Sequence, residues 1–331
     1  MYDIITVGSN TLDAFVHTNA ELVKIHTGKK DNKEDELCLA YPLGAKILIT
    51  NLEFHIGGGG TNTAASFKRL GLKTAYLGKI GHDENGEKIV RELKKLNIDF
   101  VGTFGKKSGF SVILDSKAHD RTILTHKGSN DNFRYSEVDK TKIKTKWFYF
   151  SSMMSSSLDL LKSLARYARK NNINLAFNPS NYLVIKGTSN LKPILRASNI
   201  LVFNKEESFL LSKKKTIEDA FKYLIKKIKK QGVVVITDGP RGAYAYDGEI
   251  LFYAKPKPVK ILETTGAGDA FASAFTAAII RGGSIKTALK AGMIQAESVI
   301  RCYGAKNKLL NHKEMNEELK KDKREIIMKE L

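Results

Sequence analysis

Nine residues, Glu263-Thr264-Thr265-Gly266-Ala267-Gly268-Asp269-Ala270-Phe271, place two glycines and a carboxylate directly ahead of the small, apolar run Ala272–Ile280. The run predicts a helix, and the glycines predict a tight turn at its N-terminus. Such a turn aims several backbone N–H groups at one point, where the helix dipole also favours negative charge. Phosphoryl transfer spreads charge over the oxygens of the moving group, and an amide nest of this kind stabilises it. Asp269 stands where a base could take the proton of an attacking hydroxyl. Asp also caps helices well, and the local pattern alone leaves base and cap equally open.

Other segments carry similar punctuation. Gly57-Gly58-Gly59-Gly60-Thr61-Asn62-Thr63-Ala64-Ala65 precedes a helical pattern, Gly78–Gly86 follows a strand pattern, and Gly8-Ser9-Asn10-Thr11-Leu12-Asp13 follows the first one. Asn204-Lys205-Glu206-Glu207 and Thr237-Asp238-Gly239-Pro240-Arg241-Gly242-Ala243 each follow an apolar run. No glycine cluster is completed by Gly-Lys-Ser/Thr, so a Walker P-loop is excluded. The glycine-rich strand pair of protein kinases, with its own catalytic set, is also absent.

Taken together, these segments resemble the ribokinase-like (PfkB) carbohydrate kinases over nearly the whole chain. The resemblance implies an ATP-dependent transfer of the γ-phosphoryl group to an alcohol. It places the anion hole at Gly266, Ala267 and Gly268 and the catalytic base at Asp269. It assigns substrate hydroxyls to Asn10, Asp13 and Asn62, with close backbone approach at Gly57 and Gly58. On the nucleotide side it implies Asn204, Thr237, Gly239, Gly242 and Thr265, together with Gly266 and Gly268. Glu207 would organise Mg²⁺ through water, since that ion takes few protein carboxylates and keeps water and phosphate oxygens. Gly78–Gly86 reads as mainly structural.

The chain departs from the family pattern at three places. Glu263 stands where the family has Asp before Thr-Thr-Gly, a position that helps bind a monovalent cation, so K⁺ dependence is left open. Asn178 stands where Asp is commoner. The stretch from Asp13 to Gly57 is long. Sugars, sugar phosphates and nucleosides are all acceptors within the family, and the shared motifs do not choose among them. A sugar is the preferred acceptor, and a nucleoside, stacked on Phe104 or Phe110, is the main alternative. A sugar phosphate would call on Lys106, Lys107 or Arg121.

The elements that must position these residues alternate. Strands are expected at Ile4–Val7, Thr74–Gly78, Trp147–Ser151, Asn174–Asn178, Ile200–Phe203 and Val233–Asp238. Helices are expected at Thr63–Leu70, Asn85–Leu96 and Leu158–Lys170. This alternation predicts one doubly wound α/β domain over residues 1–331, with a mainly parallel sheet. Two stretches break the rhythm, about 14–55 and about 101–128. The second reads as a hairpin turning through Ser116–Asp120, and the pair predicts a small β lid. His26–Glu36 reads as a loop, and Lys313–Leu331 as a solvated helix. A homodimer through the lid is a further expectation.

Composition narrows the classes. Lys and Arg number 55 against 35 acidic residues, a net charge of +20. The lysines are spread along the chain, and the densest stretch, Lys213–Lys230, has apolar residues at helical spacing with its lysines opposite. A nucleic-acid-binding protein on an inactive kinase scaffold is the rival from another class, and the intact Asp269 motif argues against it. No apolar run approaches the length of a membrane span, and the N-terminus lacks a basic leader; a cytoplasmic protein is expected. Two distant cysteines and seven histidines without ligand spacing offer no metal site.

Overall fold

The computed structural model describes residues 1–17, 22–27, 34–115, 121–302 and 304–331. A ten-stranded sheet runs through the molecule. From one edge its strands are Ile326–Glu330, Ile250–Ala254, Ala243–Tyr246, Val233–Thr237, Ile200–Asn204, Asn174–Phe177, Thr145–Phe150, Tyr2–Val7, Thr74–Leu77 and Asp99–Phe100. Pairings from Val233–Thr237 to Asp99–Phe100 are parallel, and those on the other side are antiparallel.

The central strands are apolar at nearly every position because both faces are covered. Along Thr145–Phe150, Phe148 and Phe150 join one core with the helices Ser156–Lys170, Gly187–Leu195 and Ile217–Leu224. Tyr149, between them, points into the other core, against Phe67, Phe271 and Phe275 of the helices Gly59–Arg69 and Ala267–Ile280. The helix Ile285–Val299 packs beside Ala267–Ile280 and completes that layer.

A second sheet of four strands has the order Arg121–His126, Gly109–Asp115, Thr11–His17, Asn51–Gly57. Thr11–His17 follows the first strand of the main sheet after only Gly8, Ser9 and Asn10. It pairs parallel with Gly109–Asp115 and antiparallel with Asn51–Gly57. The turn 116–120 lies outside the described residues.

Two local expectations are corrected. The polar stretch His26–Glu36 is flanked by paired strands, Leu22–Thr27 with Glu34–Leu39, so both of its ends are strand; residues 28–33 lie outside the described residues. The tail is not one helix. His312–Lys321 is helical, but Ile326–Glu330 is the edge strand of the main sheet, preceded by the buried Arg324, which is 7% exposed. In the densest lysine stretch, Ala220, Phe221 and Leu224 are buried and Lys222 and Lys226 are not, as the spacing predicts.

Candidate active site

The parallel strands end on one side, where such folds place their sites. Ser9 follows Tyr2–Val7, Ser151 and Ser152 follow Thr145–Phe150, and Asn178 follows Asn174–Phe177, while Asn204 and Thr237 close their own strands. All of these residues line a cavity of about 640 Å³, with Gly59, Glu207, Gly266, Gly268 and Asp269. The four-stranded sheet and the turn after it contribute Ile123, Lys127, Asn130 and Asp131.

Asp269 lies in the first turn of Ala267–Ile280. Its Oδ2 accepts a hydrogen bond from Asn62 Nδ2 at 2.9 Å. Burial pushes its carboxyl up to about 6, and the Asn62 bond holds it below a still higher value. Gly266 precedes the helix at φ 78°, and a Cβ there would meet the Ala305 Cβ at 2.4 Å, so glycine is required on both counts. At Gly268 an added Cβ would meet nothing within 4 Å, which leaves the backbone open to approach from the cavity. At the helix start the Ala267 amide donates to the Thr264 carbonyl at 3.2 Å, and the amides that follow it are the ones left open to a ligand. The arrangement can hold an anion at these amides and offer a carboxylate of raised basicity beside it. Thr265 Oγ1, Ser151 Oγ and Ser180 Oγ are buried without a partner, free for a polar ligand.

Glu207 and Asn204 form a reciprocal cap on the helix Lys205–Ser212. Asn204 Oδ1 accepts from the Glu207 amide at 2.7 Å, and Glu207 Oε2 accepts from the Asn204 amide at 2.9 Å. Burial pushes the Glu207 carboxyl up to about 7, with its neighbour Glu206 adding to the effect. A buried carboxylate on a cavity wall favours a cation beside it, so Glu207 fits a Mg²⁺ site. Among the described residues no three His, Cys, Asp or Glu side chains gather as a metal cage. A divalent ion at Glu207 would therefore keep water and phosphate ligands.

The expected substrate residues divide. Asn10 is fully buried, and its side chain donates to Tyr76 Oη at 2.8 Å, to the Lys79 carbonyl at 3.0 Å and to Asn130 Oδ1 at 3.1 Å. Its donors are spent on the fold, while its Oδ1 is left without a partner. Asp13, Gly57, Gly58 and Asn62 are absent from the described cavity lining and adjoin it through the Asn62–Asp269 bond. A Cβ on Gly57 would overlap Asp13 Oδ2, and one on Gly58, at φ 95°, would meet the Ser9 carbonyl at 2.5 Å. Burial raises the Asp13 carboxyl, eased by bonds from Thr11 and Ser111 and by the charges of Lys306 and His55. Gly242, at φ 100°, is packed against the Ala254 carbonyl, so it is a turn glycine; Gly239 is exposed. Neither lines the cavity.

Glu263 Oε2 accepts from the Gly304 amide at 2.7 Å, which joins the segment before the glycine turn to the loop after Ile285–Val299. Sequence reasoning missed Ser151, Ser152 and Ser180. A signal existed, since each follows closely on a strand end. Lys127 and Tyr182 had none.

The pfkB family carbohydrate kinase pattern matches residues 33–312. An uncharacterized sugar kinase of Archaeoglobus fulgidus is 28% identical over 247 residues, 73% of this chain and 96% of that protein. A 5-dehydro-2-deoxygluconokinase of Clostridium perfringens is 28% identical over 296 residues, 83% of this chain and 87% of that one. The fold is shared with a nucleoside kinase of Methanocaldococcus jannaschii, at 22% identity and a TM-score of 0.77 over 97% of this chain and 99% of that one. It is shared also with an Arabidopsis thaliana ribokinase complexed with ribose and ATP, at 20% identity and a TM-score of 0.79 over 96% and 99%. A ligand-sized cavity at the carboxyl edge of a doubly wound sheet, floored by the Thr-Gly-Ala-Gly-Asp turn, thus meets a pattern covering most of the sequence, and the chain belongs to the pfkB family of carbohydrate kinases.

Proposed function

We propose that the chain transfers the γ-phosphoryl group of ATP to a hydroxyl of a sugar, with Asp269 as general base. One observation carries the base assignment. The Asp269 carboxyl is raised by burial and held by Asn62, at the mouth of an open glycine turn in the cavity. A base nearer neutrality accepts a proton more readily while staying ionised at physiological pH. Its neighbours Gly266, Ala267 and Gly268 would present amides to the transferring group. Mg²⁺, when bound, supplies positive charge to the phosphate oxygens, and Glu207 would hold it through water. Asp13 and Asn62, with the Gly57 and Gly58 backbone, would orient the acceptor.

The sugar reading is supported by the two relatives, one of whose names gives a gluconate derivative as acceptor. A nucleoside is the second reading, and the fold shared with nucleoside kinases favours it. Its aromatic support is changed. Phe104 packs on Phe100 and His82, and neither it nor Phe110 lines the cavity, whereas Tyr182 does. The test is ADP release from ATP and Mg²⁺ with a panel of sugars, sugar acids and nucleosides. Turnover with a sugar or sugar acid and none with nucleosides is the expected result; turnover with nucleosides alone would replace it.

A further inference from the structure

Lys127 is the one basic side chain on the described lining of the cavity. It follows the strand Arg121–His126, and its ammonium sits 5.6 Å from the centre of the Tyr182 ring, which also lines the cavity. No described carboxylate comes within ion-pair distance of it, although Asp131 and Asp269 share the same cavity.

The position of Lys127 is built. Its carbonyl accepts from the Asn130 amide at 3.1 Å and from Asn130 Nδ2 at 2.8 Å. Asn130 is 2% exposed and clasps the exit of the first strand reciprocally: Nδ2 donates to the Asn10 carbonyl at 2.7 Å, and Oδ1 accepts from the Asn10 amide at 2.9 Å. Gly128 follows at φ 55°, and a Cβ there would stand 2.6 Å from the carbonyls of Lys107 and Ser108. The turn is therefore wedged against the exit of the first strand, and its ammonium reaches the cavity over Tyr182. Asn204 and Thr237 close strands further across the sheet, and Glu207 lies in the helix after Asn204.

A cation held in a half-enclosed site, unpaired and over an aromatic face, gains most from an anion of the ligand. The described cavity lining has one such cation. Lys106 and Lys107 are exposed away from the lining, so a phosphate dianion there would lack further partners. We propose that Lys127 is a specificity-determining residue that holds the carboxylate of a sugar acid, so that the preferred acceptor is a polyhydroxy carboxylate and not the neutral sugar. The assignment rests on the kinase reading above and narrows its substrate class.

The test compares D-gluconate and 5-dehydro-2-deoxygluconate with neutral aldoses and ketoses of the same length and with a sugar phosphate, in wild type, Lys127→Met and Lys127→Arg. The wild type is expected to prefer an acid. Lys127→Met should raise KM for that acid about 10- to 100-fold, the range of a charged hydrogen bond. Its melting temperature, its KM for ATP and its turnover of neutral sugars should stay near wild type, and Lys127→Arg should recover part of the loss. A wild type that prefers neutral sugars or sugar phosphates overturns the assignment and leaves the kinase reading intact. A Lys127→Met defect confined to the KM for ATP overturns it too, by placing the ammonium on the donor. No ADP release with any sugar overturns both.

Discussion

Asp269→Asn tests the base role against the cap role, and the structure already speaks against the cap, since Gly266 is the N-cap of this helix and no side-chain cap bond is made. Asn keeps the shape and can still accept from Asn62, but it takes no proton. The rate of the chemical step should fall about 10²- to 10⁴-fold with nucleotide affinity retained. Stability should not fall with it. The carboxyl stands near 6 in the folded protein against an ordinary 3.8, so folding disfavours its charged form. That cost is absent below about pH 4 and complete above about 6, where it is on the order of 3 kcal/mol. At pH 7.5 the Asn variant should therefore melt no lower than wild type, whereas a residue needed only as a cap would give normal turnover. Wild-type kcat/KM should fall as pH drops through about 6, as the base takes up its proton. Turnover, nucleotide titration and melting curves on one preparation decide the matter. A kcat within threefold of wild type, with chemistry rate-limiting, would falsify the base assignment.

At the scale of elements, Glu207 is tied to the start of a helix. Glu207→Gln keeps a side chain able to accept from the Asn204 amide, so Lys205–Ser212 should stay capped. The Mg²⁺ concentration for half-maximal rate should rise, and a titration that overlays wild type would remove Glu207 from the metal's surroundings. The clasp between Asn10 and Asn130 makes a separate claim. Asn130→Ala removes the partners of Asn10 inside a buried turn and should cost about 1–3 kcal/mol, read as a lower denaturation midpoint in urea. These two residues also show what the sequence could say. The Asn204–Glu207 pair was legible because capping acts at fixed spacing on one helix. Asn10 was placed by its neighbourhood at a strand exit, and its tie to a residue at position 130 is one that no local pattern reveals. Strands covered on both faces were legible from their unbroken apolar runs. The edge strand Ile326–Glu330 was not, because four of its five positions are exposed and its charges mimic a surface helix. It is preceded by Arg324, whose partners lie on other elements.

Across the whole molecule, Arg324 ties three distant segments together. Nη2 donates to both Glu297 oxygens at 2.9 and 2.8 Å, and the Lys257 amide donates to Glu297 Oε1 at 2.9 Å. Lys257 Nζ meets Asp322 at 3.2 Å. Arg324→Ala would leave Glu297 buried without its cation and Asp322 with Lys257 alone, and should cost roughly 3–5 kcal/mol by chemical denaturation. A loss under 1 kcal/mol would show the tail to be loosely held. The four-stranded sheet has a different kind of dependence. Thr11–His17 leaves the main sheet after the very first strand, yet its parallel partner Gly109–Asp115 arrives only after Gly59–Arg69, Thr74–Leu77 and Glu84–Lys95 have been laid down. The pairing thus closes a loop that holds much of the α/β layer, and loop-closure entropy defers such contacts. The sheet over the site should be a late guest in the folding reaction. Ile113 sits buried in it, and Ile113→Val, costing about 0.5–1.5 kcal/mol, should speed unfolding and leave the refolding rate unchanged in stopped-flow measurements. Selection could then retune the part that meets the substrate without disturbing the barrier that the rest of the chain must cross to fold.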